Sequence, residues 1–159
     1  MRFYLVDKVL DLEIGQSIRG IKCVTLTDQT VHDHFPLMPI FPGSLILEGL
    51  AQLAGCLIEV SLNQDVSSVL KRAVLVQVEK MKFYKPTFAG DRLEYKVKIQ
   101  SLREEGARVF VEASMDSEER VSGVLTLALI EPQLEAITQQ RKELYKVWFR
   151  DLKECPLIL

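Results

Sequence analysis

The feature that most constrains this chain is a proline-punctuated loop that runs directly into a long apolar segment, within residues 32–60. Each proline removes a backbone donor and pushes the preceding residue away from helical angles. Residues 35–42 therefore form neither a regular strand nor a helix. Residues 44–60 are mostly Leu, Ile, Ala and Val, which predicts a buried helix of about five turns. The prolines are Pro36, Pro39 and Pro42, and Gly43 follows the last of them.

Glu48 is the first carboxylate inside this helix, and it has two interpretations. In the first it belongs to a solvated stripe, because Ser44, Glu48, Gln52, Gly55 and Glu59 recur at helical spacing. In the second it is a carboxyl held in apolar surroundings, which favour the protonated form and allow it to donate a proton. Periodicity alone favours the first interpretation.

The two histidines of the chain, His32 and His34, lie at the start of the same loop. A lone loop histidine is more often a hydrogen-bonding residue than a catalyst. A His-x-His pair without a third ligand at a supporting spacing is a poor metal site, so we expect no bound metal.

The segment from His34 to Gln52 resembles the signature of the 3-hydroxyacyl-(acyl carrier protein) dehydratases of fatty acid synthesis. That pattern reads His-Phe-Pro-Gly-x-Pro-x-x-Pro-Gly-Val-Leu-x-x-Glu-Ala-Met-Ala-Gln. A weaker match, F-x-x-P-x-x-x-G-D, runs from Phe83 to Asp91. The chain departs from the family at Asp33 and Leu37, where glycine is usual, and beyond Pro132. The matching positions are His34, Phe35, Pro36, Pro39, Pro42, Gly43, Leu45, Glu48, Ala51 and Gln52.

The resemblance implies removal of water from a 3-hydroxyacyl thioester. This reaction needs a base at C2, an acid for the departing C3 hydroxyl and a donor to the thioester carbonyl. The resemblance assigns these tasks to His34, Glu48 and the backbone N–H of Gly43, respectively, with no cofactor beyond the phosphopantetheine of the acyl carrier protein. Which of His34 and Glu48 moves which proton stays open.

The resemblance further implies that Phe35, Leu37, Pro42 and Gln52 bind substrate. Gln52 lies one turn after Glu48, so we expect it to hydrogen-bond that carboxyl. Leu37 lacks the freedom of the family glycine, so we expect it to forbid a positive φ and to reshape the loop.

The expected partners are the acyl carrier protein and a second copy of this chain. The resemblance implies a homodimer with two shared sites, in which the histidine and the glutamate come from opposite subunits. It leaves open further assembly into a trimer of dimers. A cluster of basic residues is either a solvated surface or a docking patch for the acidic carrier. The cluster contains Lys71, Arg72, Lys80, Lys82, Lys85 and Arg92.

Composition narrows the class of protein. A length of 159 residues suits one domain, and a net charge of −2 argues against a nucleic-acid binder. The first 15 residues show no cleavable signal pattern, and three widely spaced cysteines fit a reduced, cytoplasmic setting. The apolar helix is too interrupted by polar residues for a convincing membrane span, so we expect no membrane insertion.

Strand-like segments flank the helix at residues 2–12, 17–26, 71–83, 92–102, 107–116 and 121–130. One buried helix among such strands indicates an α+β domain with an antiparallel sheet. The family resemblance implies the hot-dog fold, a curled antiparallel sheet around a long central apolar helix.

We expect residues 1–131 to form a single hot-dog domain and residues 132–159 to add a C-terminal helical extension. The extension would pack on the domain or on the dimer through one apolar face. That face comprises Leu134, Ile137, Leu144, Tyr145, Trp148 and Leu152.

Two other functions remain open from the sequence. A hot-dog acyl thioesterase would consume water and release a free thiol. A non-catalytic acyl-thioester binding protein would turn nothing over, and Leu37 is the feature that keeps this alternative open.

Overall fold

The computed structural model describes residues 3–32, 34–35, 37–64, 70–132 and 135–153. Within these ranges, six antiparallel strands form one sheet in the order β1-β2-β4-β5-β6-β3, and three helices accompany it. The strands are β1 Lys8–Glu13, β2 Ser17–Cys23, β3 Arg72–Phe83, β4 Arg92–Leu102, β5 Gly106–Met115 and β6 Glu118–Ile130. The helices are α1 Gln29–His32, α2 Gly43–Leu62 and α3 Glu135–Trp148.

Helix α2 is the core of the domain. Its residues Leu50, Leu53 and Leu57 are completely buried, and strands β2 to β6 all contact it. By length and composition α2 could cross a membrane, yet 67% of its most apolar window is buried inside the domain. Such burial is typical of the central helix of a folded domain, because the sheet supplies the apolar surroundings.

Along the strands of the sheet, side chains that face α2 alternate with side chains that point away from it. In β4, Leu93, Tyr95 and Val97 are buried while their neighbours are more exposed, as expected of strands that cover a core on one side. The turn between β5 and β6 consists of Asp116 and Ser117, both with positive φ, which suits a two-residue hairpin.

The predicted strands are present, with shifted bounds. β1 begins at Lys8 rather than at residue 2, and β2 ends at Cys23 rather than at residue 26. β6 begins three residues before the predicted 121, because the hairpin turn is so short. Helix α1 was not predicted, because it is a single turn of four residues with no periodic pattern of its own.

Among the strands that the structure describes, β3 forms one edge of the sheet and pairs with β6 alone. Val74, Val76 and Val78 of this strand are exposed, Val76 to 60%. An exposed strand edge with apolar side chains is a ready site for pairing with another chain.

Helix α3 packs on the domain of its own chain. Tyr145, Trp148 and Phe149 are buried and join the main core, with the Tyr145 ring 5.7 Å from that of Trp148. The helix begins at Glu135 rather than at Pro132. The predicted contact residue Leu134 lies outside the described residues, as do Cys155 and the side chain of Ile137.

A buried carboxylate joins α3 to α2. Glu59 is 1% exposed and accepts hydrogen bonds from Arg72 Nη1 at 3.1 Å, Arg141 Nη1 at 2.6 Å and Tyr145 Oη at 2.8 Å. The backbone N–H of Ala73 donates a fourth bond at 3.2 Å. The interpretation of Glu59 as part of a solvated stripe was therefore wrong, because α3 and β3 cover that face of α2.

The surroundings of Glu59 hold two neighbouring groups in their neutral forms. Burial raises the pKa of the Cys56 thiol, and the negative charge of Glu59 raises it further. Burial also raises the pKa of Tyr145, which lies within reach of the same carboxylate. Both shifts follow from the cost of placing a negative charge in a site that is shielded from water.

Candidate active site

His34 is tied to Ile40 at both its backbone and its ring. The Ile40 N–H donates to the His34 carbonyl at 2.8 Å, and His34 Nδ1 lies 3.2 Å from the Ile40 carbonyl oxygen. A carbonyl oxygen only accepts, so Nδ1 carries the proton of the neutral ring. Nε2 is then the atom with the free lone pair, as a base requires.

The loop beyond His34 closes in a tight turn. Phe35 and Met38 exchange backbone hydrogen bonds of 3.1 and 3.0 Å around Leu37, while Asp33 and Pro36 lie outside the described residues. Leu37 has φ 69, so the expectation that it would forbid a positive φ was wrong. The side chain of Leu37 is fully exposed, so a cost of about 1–2 kcal/mol for this conformation is not offset by packing.

Two of the predicted substrate-binding residues frame this loop. Phe35 is exposed and its ring lies 4.6 Å from the His34 imidazole. Pro42 occupies the N-cap position of α2, where its carbonyl accepts from the N–H groups of Leu45 and Ile46. Pro42 thus fixes where the helix starts. From the sequence pattern alone, this structural role could not be distinguished from the predicted role in substrate binding.

Gly43 supplies the first N–H of α2, and no side chain in the described part of the chain caps this helix end. N–H groups in the first turn lack acceptors within the helix and carry positive partial charge. A Cβ at Gly43 would come within 2.8 Å of two ring carbons of Phe83. Glycine is therefore needed here because Phe83 approaches the backbone closely.

Glu48 is held by Gln52, as predicted. Gln52 Nε2 donates to Glu48 Oε1 at 2.9 Å, which confirms the expected hydrogen bond. The same amide also donates to the Phe3 carbonyl at 2.9 Å and accepts from the Leu5 N–H at 3.0 Å. Both ends of the amide are engaged, so the orientation of the Glu48 carboxyl is fixed. Sequence reasoning missed the part played by the N-terminal segment, since nothing in its composition marks that contact.

Glu48 and Gln52 lie in the wall of a cavity of about 470 Å³ between α2, β3 and α3. Its lining is mixed: apolar side chains such as Trp148 of α3 alternate with polar ones such as Gln140 and Arg141. Sequence analysis identified the apolar face of α3 but not its place beside Glu48. Among the described residues, His34 and Gly43 do not line this cavity. Gly43 instead borders a separate cavity of about 290 Å³, next to Phe83.

The chemical groups of the candidate site are a carboxyl (Glu48), an imidazole (His34) and the N–H groups at the start of α2. Within the described ranges, no group of three or more His, Cys, Asp or Glu residues could hold a metal ion. The His32 side chain and Asp33 are not described, so the His-x-His motif stays untested.

Comparison with known proteins identifies the family. A family model described as a FabA-like domain matches residues 1–122. The chain belongs to the FabA-like family. This confirms the relationship predicted from the motif between His34 and Gln52, which lies wholly inside the matched region. The match ends inside β6, before α3.

Two curated proteins are similar in sequence to this FabA-like chain over more than half of its length. The 3-hydroxyacyl-(acyl-carrier-protein) dehydratase FabZ of Campylobacter hominis is 41% identical over 98 residues, 61% of this chain and 66% of that protein. That alignment spans just under two thirds of the relative's length. The dehydratase of the same name from Chlamydia trachomatis serovar L2 is 35% identical over 132 residues, 82% of this chain and 85% of that protein.

A solved structure confirms the predicted fold of this FabA-like chain. A hot-dog-like protein from Thermanaerovibrio acidaminovorans superposes with a TM-score of 0.60 at 18% identity, over 90% of this chain and 96% of that chain. The curled sheet around α2 is therefore the hot-dog fold, in an α+β domain with an additional C-terminal helix.

Proposed function

We propose that this chain dehydrates 3-hydroxyacyl thioesters carried on acyl carrier protein, giving trans-2-enoyl thioesters in fatty acid synthesis or a related pathway. Both curated relatives carry the name of this activity. The observation that carries the proposal is Glu48, a carboxyl oriented by Gln52 at the wall of a cavity that also presents apolar side chains. An acid in such a position suits a leaving hydroxyl at the head of a hydrocarbon chain.

The proposed elimination uses one base and one acid. His34 Nε2 takes a proton from C2, the C2–H electron pair forms the C2–C3 double bond, and the C3–O bond breaks. Protonated Glu48 donates to the departing hydroxyl, which leaves as water. The Nδ1–H contact with the Ile40 carbonyl supports the base role of His34, because it keeps the lone pair on Nε2. Transfer of the proton from His34 back to Glu48 resets the site.

Gly43 is the proposed donor to the thioester carbonyl. Negative charge develops on this oxygen when the C2 proton leaves, and the N–H groups at a helix start stabilise such charge. None of the described side chains caps α2, which supports this role, since none of them competes with substrate for the first N–H groups.

We propose that the working form is a homodimer with two shared sites, in which His34 of one copy faces Glu48 of the other. The exposed edge of β3 supports pairing between copies, since Val74, Val76 and Val78 would be covered. The separation of His34 from the Glu48 cavity within one chain also supports it. Further assembly into a trimer of dimers is compatible with this arrangement.

The carrier protein would dock on the basic side chains that remain exposed, among them Lys80 and Lys82. Arg72 does not belong to this patch, because it is buried and paired with Glu59. Including Arg72 in a surface cluster was wrong. We propose a cytoplasmic location, which the free thiols of Cys23 and Cys56 support. The reaction as proposed needs no cofactor other than the phosphopantetheine arm of the carrier.

The test follows absorbance at the enoyl-thioester band with crotonyl thioester and its 3-hydroxy counterpart. We expect the wild type to interconvert the two and Glu48→Gln to lose about 10²–10⁴-fold in rate, the usual contribution of a proton-transfer group. Glu143→Gln is the matched control, because Glu143 is an exposed carboxylate of α3 that does not line the cavity. It should retain full activity.

Three other results of these assays would contradict the proposed dehydratase activity or the role of Glu48 in it. Free thiol in a dye assay, without an enoyl product, would indicate a thioesterase. No turnover of carrier-linked substrates would leave an acyl-thioester binding protein. Equal losses in Glu48→Gln and Glu143→Gln would contradict the acid role of Glu48.

A further inference from the structure

The side chain of Gln52 joins the proposed acid to a segment that is far away in sequence. Its Nε2 atom donates to the Phe3 carbonyl at 2.9 Å and to Glu48 Oε1 at 2.9 Å, and its Oε1 atom accepts from the Leu5 N–H at 3.0 Å. A side-chain amide has two N–H donors and one acceptor oxygen. Both N–H groups of Gln52 are therefore engaged, one by the N-terminal segment and one by Glu48.

Backbone polarity fixes which way this amide points. The nitrogen and oxygen of a glutamine are assigned from their hydrogen bonds. In the reversed amide, the oxygen would face the Phe3 carbonyl oxygen and the nitrogen would face the Leu5 N–H. A backbone carbonyl only accepts and a backbone N–H only donates, so both contacts would be lost. Gln52 is consequently a donor towards Glu48 and not an acceptor.

The N-terminal segment is itself fixed to the rest of the domain. Leu5 and Val6 are buried in the core. The Asp7 N–H donates to the Ile21 carbonyl at 2.8 Å, and the Asp7 carboxylate accepts from the Cys23 N–H at 2.6 Å. These contacts with β2 and the core keep the backbone groups that face the amide from reorienting with it.

A fixed donor at one oxygen of Glu48 leaves one position for the acidic proton. In a protonated carboxyl, one oxygen bears the O–H donor and the other keeps its full acceptor capacity. Oε1 accepts from Gln52, whereas Oε2 receives no hydrogen bond from any described residue. The carboxyl also lines the cavity of about 470 Å³. The protonated form therefore carries its hydrogen on Oε2.

We infer that Gln52 is a positioning residue: held as a donor by the N-terminal segment, it keeps the transferable proton of Glu48 on Oε2. This inference rests on the proposed function, in which Glu48 is the acid. When the proton moves from Oε2 to the departing hydroxyl, the electron pair of the O–H bond stays on the carboxyl, and negative charge spreads to Oε1. The bond from Gln52 then becomes charge-assisted, and such bonds are about twice as strong as neutral ones. Gln52 thus stabilises the transition state more than the bound substrate.

The first test compares Gln52→Met with Gln139→Met in the assay with 3-hydroxybutyryl thioester. Methionine is an unbranched side chain without an N–H donor. The control is matched, because Gln139 Nε2 donates to Glu143 Oε1 at 3.1 Å over the same four-residue spacing, on the exposed surface of α3.

Gln52→Met should lower kcat about tenfold to hundredfold, the usual cost of a misplaced catalytic group, and leave KM within about twofold of wild type. Gln139→Met should match wild type in both constants. An unchanged kcat for Gln52→Met, or a rise in KM alone, would overturn the inference.

A second test needs neither turnover nor a substitution of Gln52. NMR of the wild type follows the two Nε2 protons of Gln52 while the pH is lowered until Glu48 takes up its proton. We expect the proton that faces Glu48 to lie further downfield when the carboxyl is ionised, because the bond is then stronger. The proton that faces Phe3 should not respond, and neither should respond in Glu48→Gln. No response of either proton in the wild type would overturn the inference.

The two tests separate the inference from the proposed function. A response of one Gln52 proton without dehydration of any substrate would keep the donor and reject the reaction. Dehydration by the wild type without a response of either proton would keep the reaction and reject Gln52 as the donor to Glu48.

Discussion

The Tyr145 hydroxyl of α3 donates to the Glu59 carboxylate of α2 over 2.8 Å, and both side chains are buried. This contact connects the C-terminal helix with the central helix, whose preceding turns carry Glu48 and Gln52. The position of α3 on the domain therefore depends on a charged group that solvent does not reach.

Glu59→Gln should destabilise the fold by about 3–5 kcal/mol, because it leaves the buried Arg72 guanidinium without its counter-charge. Tyr145→Phe should cost less, about 1.5–3 kcal/mol, since it removes one hydrogen bond to a charged acceptor. Urea denaturation measures both values, and Glu143→Gln serves as the surface control, expected within about 0.5 kcal/mol of wild type. A Glu59→Gln variant as stable as that control would contradict the role of the buried carboxylate.

Stability should fall on the alkaline side of neutrality, through Cys56. Burial raises the pKa of the Cys56 thiol in the folded state. The stabilisation that this shift gives to the folded state is therefore fully present below the unfolded pKa of about 8.5 and is lost as the pH rises above it. Above that pH the unfolded chain releases a proton that the folded chain keeps, which lowers the free energy of unfolding by up to about 1.4 kcal/mol per pH unit. Urea titrations from about pH 7.5 to 9.5 should show this slope in the wild type and a smaller one in Cys56→Ala. Equal slopes of stability against pH in the two proteins would show that Cys56 does not cause the alkaline loss of stability.

Two glycines of α2 should respond oppositely to alanine. Gly55→Ala adds a methyl where space exists, so the gain in helix propensity of about 0.8–1 kcal/mol should raise Tm by about 2–4 °C. At Gly49 a Cβ would lie 2.7 Å from Tyr95 and 2.8 Å from the Leu5 carbonyl. Gly49→Ala should therefore destabilise by about 1–3 kcal/mol. Thermal melts followed by circular dichroism measure the change in Tm of each variant. Changes of the same sign would show that the packing around one of the two glycines differs from that described.

Mixing two inactive variants should restore activity if the sites are shared. His34→Ala and Glu48→Gln each damage every site of their own homodimer. A mixed dimer keeps one site with both residues intact, so random exchange of subunits should recover about a quarter of wild-type activity. The measurement is hydration of crotonyl thioester after co-refolding. Recovery no greater than the sum of the separate variants would indicate that His34 and Glu48 act within one chain.

Local patterns predicted much of this fold. The prolines and glycine before α2, the apolar content of that helix and the alternation in β4 are all properties of neighbouring residues, so the sequence indicated the α+β class and most elements. The motif from His34 to Gln52 indicated the family, which the FabA-like match confirmed. The hydrogen bond between Gln52 and Glu48 was predictable because the two residues are one helical turn apart.

Contacts between distant segments could not be predicted in this way. Glu59 follows the same helical spacing as Glu48, yet it is buried because α3 returns to cover it. The anchoring of Gln52 by Phe3 and Leu5 likewise depends on the path of the N-terminal segment. The conformation of Leu37 is determined by the reciprocal backbone bonds of its turn rather than by its residue type.

The links from Glu59 to Arg141 and Tyr145 span 82 and 86 positions. During synthesis the carboxylate leaves the ribosome long before these two partners, and strands β3 to β6 are made in between. A nascent or prematurely ended chain must therefore either bury an under-compensated charge or leave this end of α2 open to water. Helix α3 thus makes complete folding conditional on a chain that extends beyond Tyr145, so cellular proteases can distinguish shorter copies from those that have reached it.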